Sequence, residues 1–169
     1  MNRAIFLALL CFGGLAAKAQ IPQPDPDTTA RHFLIVASIK NLQEVSAGQL
    51  AVEKATRADV RAFGQMMVKD HEQAEQQLLQ LAKNQNINLP AAATGGIKAD
   101  INLKKAAGNF DELYVHAMVA GHGNTVQTFE AYAVNGRNAA VKAFAQQILP
   151  TLKAHLAATK AIDEKLKKK

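Results

Sequence analysis

Tryptophan is absent from this 169-residue chain, and aromatic residues make up only 5% of it. Basic residues are not interleaved with aromatics on one face, so the chain lacks the stacking platforms by which single-stranded nucleic acids are bound. Serine occurs only at Ser38 and Ser46, neither in a nucleophile-elbow context. No glycine-rich phosphate loop follows a strand, and no Cys-x-x-Cys-His is present for covalent haem. A haem b held by Met and His would find few aromatics to wall it. The single cysteine, Cys11, lies within the N-terminal apolar stretch. Once that stretch is removed, neither a disulfide nor thiolate chemistry is available. These absences disfavour an organic catalytic mechanism, and the chain is read as a non-enzyme.

The N-terminus reads as a secretory signal over residues 1–19. Arg3 supplies the positive region, and residues 4–17 are apolar but too short to span a bilayer of about 20 helical residues. Ala17-Lys18-Ala19 is a small-x-small cleavage site. The rival reading makes Cys11 a lipidated cysteine, but bulky Leu9 and Leu10 precede it and the apolar run continues beyond it. The formal net charge is +6; loss of Arg3 and Lys18 lowers it by two, to +4. Part of the remainder sits in Lys165, Lys167, Lys168 and Lys169, where cations suit a helix C-terminus. The expected location is periplasmic or outer-membrane associated. No transmembrane span is expected after signal removal.

What is present is helix-forming. Apolar residues reach 49%, rich in Ala with Leu and Val behind it. Pro22, Pro24 and Pro26 make residues 20–29 an extended linker. A four-helix bundle domain is then expected over residues 30–167, with helices at 30–54, 58–84, 110–134 and 138–166. Thr56 is a plausible N-cap for the second. That helix has the clearest period: Val60, Phe63, Met67, His71, Ala74, Leu78 and Leu81 step by three or four. The third puts Val115, Met118, His122, Thr125, Phe129 and Tyr132 on one face. The fourth does so with Val141, Phe144, Ala145, Ile148, Leu152, His155, Thr159 and Ile162. Pro150 inside that pattern predicts a kink or a split. Gly121 and Gly123, flanking His122, suggest close helix approach or local looseness. Val60-Arg61-Ala62-Phe63 echoes Val141-Lys142-Ala143-Phe144, which supports two helical hairpins. The stretch 91–109 joins them, either along the whole bundle or as a decorated hairpin loop.

From residue 31 to 166 the chain resembles the domain of unknown function 4142 family. The matching text is Gln43-Glu44-Val45, Gly48-Gln49-Leu50-Ala51, Met67-Val68-Lys69-Asp70-His71, Phe110-Asp111-x-x-Tyr114, Met118-Val119-x-x-His122, and Phe144-Ala145 to Leu149-Pro150-Thr151-Leu152-x-x-His155. The resemblance implies an exported, all-α, ferritin-like bundle and no established activity. The family commonly carries an acid just before the second histidine, where this chain has Gly121, so an acidic partner for His122 is missing.

Two functional readings follow. The first is a non-enzymatic structural or binding module of the envelope, acting in maintenance or stress on an unknown envelope component. There the histidines would form a buried polar network, His71 pairing with Glu44 and His122 with His155 or a backbone carbonyl. No cofactor is needed, and Asp70 would point outward to Arg61 or Lys69. His32 and His116 are read as surface or edge residues. The second reading is a metal-binding protein for copper, iron or zinc. Glu44, His71, His122 and His155 fall near the middles of their helices and could converge. Met67 and Met118 stand four residues before a histidine and would supply soft thioether donors. A ferritin-type di-iron centre is disfavoured, because Val68 and Leu152 occupy the positions where its Glu-x-x-His pairs need Glu.

Overall fold

The structure, a computed structural model, describes residues 28–95 and 101–168. The expected signal peptide 1–19, Cys11 and nearly all of the expected linker lie outside the described residues. Four long helices dominate: α1 (Thr28–Lys54), α2 (Ala58–Asn84), α5 (Phe110–Asn135) and α6 (Ala139–Lys167). Two short ones, α3 (Ala91–Thr94) and α4 (Ile101–Lys105), lie in the connection. No strand occurs among the described residues.

α1 pairs with α2 and α5 with α6, and contacts of α2 with α6 and of α1 with α5 close the ring. The two hairpins meet at both ends. At one, Asp111 at the start of α5 accepts from the backbone N–H of Thr56 and Arg57 and from the Thr56 hydroxyl. At the other, Asn138 before α6 donates to Gln85 after α2. The start of α5 thus lies beside the start of α2, and the connection must return along the bundle. Its described parts agree: Ala93 in α3 takes a hydrogen bond from Ser38, in the first half of α1, and Lys104 in α4 takes one from Lys54, at its end. This resolves the two paths open for 91–109 in favour of a full-length crossover. One long crossover is the connection that ferritin-like bundles use.

Local chemistry explains the boundaries. α2 ends in a Schellman motif: Ile87 N–H bonds the Ala82 carbonyl, Asn86 N–H bonds that of Lys83, and Asn86 takes the left-handed conformation (φ 54°). Ile87 then tucks into the core. The Asn138 side chain caps α6 by accepting from Val141 N–H. The N-cap of α2 is Arg57, whereas Thr56 gives its hydroxyl to Asp111. α6 runs unbroken through Pro150, so no split occurs. Pro150 and Gln146 are both exposed, so the carbonyl freed by the missing N–H lies on the side open to water. α1 and α2 come closest at Gly48 and Gly64. A Cβ on Gly64 would lie 2.7 Å from Ala51 Cβ, and one on Gly48 would lie 2.8 Å from the Gly64 carbonyl oxygen.

The core is divided along the bundle axis. One apolar cluster gathers Phe33, Leu34, Leu78, Phe129, Val141 and Phe144. The other gathers Val60, Phe63, Met67, Phe110, Val115 and Met118. Between them on each helix the buried positions turn polar: Ser38, Asn41 and Glu44 on α1, His71 and Glu75 on α2, His122 on α5, and His155 and Thr159 on α6. This polar waist holds the candidate site.

Candidate metal centre

Each histidine of the waist reaches it by helical period. His71 lies four residues after Met67 and seven before Leu78; His122 lies four after Met118; His155 lies three after Leu152. All three are at most 4% exposed. One ring nitrogen from each lies within 4.8 Å of the others. Ring centroids are 5.7 Å apart for His71 and His122, and 5.4 Å for each of the other pairs.

Each ring is anchored by one nitrogen. His71 Nδ1 is 2.9 Å from Asn41 Oδ1, His122 Nδ1 is 3.1 Å from the Met118 carbonyl oxygen, and His155 Nε2 is 3.1 Å from Asp70 Oδ2. All three partners accept, so these nitrogens carry the proton. The other nitrogens, Nε2 of His71, Nε2 of His122 and Nδ1 of His155, are buried without a partner. A neutral ring, held through N–H on one side and bare on the other, is the state in which histidine ligates metal. Burial, reinforced by the neighbouring rings, pulls His71 down to about 3 and His122 to about 4, so both are neutral at physiological pH. An unpartnered buried polar atom costs about 1–3 kcal/mol, and here three face one space.

The structure gathers the three histidines but not all six residues singled out in the sequence. Glu44 is buried in the waist with Oε2 unpartnered, yet it is not among the groups meeting within 4.8 Å. Burial, opposed weakly by Lys40, lifts its carboxyl to about 7. Its other oxygen fills the space beside Gly121, where a Cβ would lie 3.2 Å from Oε1. Tyr114, its hydroxyl buried without a partner, is pushed up by burial and by Glu44. Met67 and Met118 are buried in the adjoining apolar cluster, and Met118 contributes its carbonyl to His122.

Several expected pairings change. Asp70 holds His155, not Arg61 or Lys69, because one position before His71 it projects toward α6. His71 pairs with Asn41, not Glu44. His122 takes a backbone carbonyl, one of the two partners expected for it, and that bond supplies the orientation that Gly121 cannot. Asn41 and Asp70 were not foreseen in these roles, although Asn41 lies four residues after Ala37 and three before Glu44, all buried on α1. His32 is exposed, and His116 is exposed and paired with Asp163, as expected for residues off the shared level. A cavity of about 210 Å³ between α2 and α6, bounded by Asp70, Gln73, Gln77 and Thr151, leads from the surface to His71 and His155.

The molecule is thus an all-α four-helix bundle with a buried three-histidine cluster at its waist. By sequence it belongs to the family described as domain of unknown function (DUF4142), whose model matches residues 15–162. No curated protein sequence matches the chain. Among solved structures it is similar in fold to CopM in the Cu(I)-bound form, with a TM-score of 0.68 and 13% identity over 80% of this chain and 96% of that one. No described helix is long and apolar enough to cross a membrane.

Proposed function

We propose that this protein is an exported, non-catalytic copper-binding module that holds Cu(I) on His71, His122 and His155. The observation that carries the reading is the set of three buried, partnerless ring nitrogens, each on a ring anchored by its other nitrogen. Calcium and magnesium need oxygen donors and do not fit it. Neutral imidazoles suit copper and zinc, and thioethers one turn away on α2 and α5 favour the softer Cu(I). Cu(I) also accepts three-fold coordination. His71 and His122 would hold the ion through Nε2 and His155 through Nδ1. The fold shared with CopM in the Cu(I)-bound form agrees with this choice.

Zinc is the second reading, favoured by one observation: Glu44 Oε2 is buried and unpartnered, and a structural zinc site wants a fourth ligand. Anaerobic competition of the metal-free protein against a chromogenic Cu(I) chelator tests both. One Cu(I) per chain is expected, lost in His122→Ala and retained in Glu44→Gln. Zinc held in preference to Cu(I) and lost in Glu44→Gln supports the second reading. Retention of neither metal, or equal retention by a variant lacking all three histidines, returns the waist to a packing network and the protein to an envelope structural module.

A further inference from the structure

His71 is held from further away than the other two rings. His122 and His155 each rest on one acceptor, whereas the acceptor for His71 is itself held. Asn41 presents Oδ1 to the ring and donates through Nδ2 to Glu75 Oε2 at 3.1 Å. Glu75 Oε1 lies 2.5 Å from Ser38 Oγ, and Ser38 Oγ lies 2.6 Å from the carbonyl oxygen of Ala93 in α3. Every residue of this chain is buried.

Counting protons gives the relay a direction. The Ala93 carbonyl can only accept, so the one hydroxyl proton of Ser38 goes to it. Ser38 then offers lone pairs to Glu75 Oε1, and a contact of that length needs a proton that only Glu75 can bring. Glu75 is therefore a carboxylic acid here, and burial, the largest influence on its carboxyl, pushes it up in the same direction. Its Oε2 remains an acceptor and takes the Asn41 amide N–H. That fixes Asn41 with its oxygen toward the ring, which fixes the His71 proton on Nδ1 and leaves Nε2 bare.

We infer that Asn41 and Glu75 are positioning residues for the metal-binding nitrogen of His71, and that through Ser38 they tie the crossover to the site. The inference rests on the copper reading, since without an ion the relay would set only packing. It also makes docking of α3 and loading of the site favour one another, because coupling between two sites is reciprocal.

The first test needs no variant. Imidazole ¹⁵N spectra of the metal-free protein at neutral pH should show His71 protonated at Nδ1; a proton on Nε2 overturns the relay. Glu75→Gln reproduces the acid's pattern, its NH₂ facing Ser38 and its oxygen facing Asn41. It should keep the tautomer and a Cu(I) affinity within about threefold of wild type. Glu75→Leu and Asn41→Leu should mix the His71 tautomers and weaken Cu(I) by about 10- to 100-fold. Cu(I) should slow hydrogen exchange at residues 91–94, and Ser38→Ala should abolish that protection. Glu75→Gln as damaging as Glu75→Leu, or folded leucine variants that bind like wild type, would reject the inference. If the leucine variants do not fold, the wild-type tautomer and Glu75→Gln still decide it. His122→Ala separates the two failures: unchanged Cu(I) binding there sinks the copper reading, while the His71 tautomer still reports on the relay.

Discussion

Toward one end of the bundle the helices meet through Leu34, Leu78 and Val141; toward the other they meet through Val60, Val115 and Met67. At the waist the same four helices present hydroxyl, amide, carboxyl and imidazole groups. The ends gain stability by removing carbon from water, about 25 cal/mol per Å² of apolar surface. The waist gives up that gain at eight buried positions and leaves ring nitrogens, a carboxyl oxygen and a phenol unpaired. Metal-free, it is therefore the weak layer between two strong ones. The difference indicates what each is for: the ends hold the helices in register, and the waist uses that register to place donors.

Breaking an end should cost most and leave the site's chemistry alone. Leu78→Ala, at a fully buried position, should lose about 2–5 kcal/mol of unfolding free energy in a denaturant titration while still binding one Cu(I). The next effect lies in the waist and depends on pH. Glu44 has a carboxyl raised from 4.5 to about 7. Its contribution to stability is full below pH 4.5 and is lost as pH rises through 7. Glu44→Gln removes that loss, so its stability relative to wild type should grow between pH 4.5 and 8 by up to about 3 kcal/mol in the metal-free protein. His71 and His122 act with the opposite sign, losing stability as pH falls from 6.5 toward 3–4, but they are common to both proteins and cancel. Equal pH profiles would show Glu44 to be ionised and paired.

A smaller effect sharpens the contrast from the metal side. Cu(I) at a hundred times its Kd should add about 2.7 kcal/mol to wild type, read as a rise in Tm. It should add nothing to His122→Leu. That variant, having replaced an orphaned nitrogen with carbon, should be at least as stable as wild type without metal. Outside both regions, Glu130→Ala removes an exposed ion pair with Lys153 and should change stability by less than about 1 kcal/mol.

The helices were legible because their apolar period is strong. The expected span 58–84 coincides with α2, and the other long helices differ by two residues at most. The three histidines were legible for the same reason, each sitting on a counted stripe. Their partners were not. Asn41 and Glu75 lie on buried stripes but are polar, and nothing in one helix reveals which neighbour will satisfy a polar group. Asp70 lies beside a stripe, so its partner depends on how α2 and α6 are rotated about their axes. On α5, Thr125 and Tyr132, expected to face inward, are only partly buried, with Tyr132 packed against Phe33, while their neighbours Val126 and Ala133 are buried, because two adjacent positions compete for one face. The approach of Gly48 to Gly64 is likewise set by how two helices meet, and either glycine alone is uninformative.

The crossover assigns His71 to one hairpin and His122 with His155 to the other. Each hairpin is built from contacts near in sequence and can assemble early, whereas their union must wait for a longer loop to close. The third ligand therefore arrives only when the halves have joined. An ion held by all three acts as a rivet across that seam: a half-assembled chain has too few ligands to hold it, and it can leave only when a ring swings away or the halves part. In a compartment where newly delivered chains and free metal mix, copper would then be kept by finished molecules and passed over by unfinished ones.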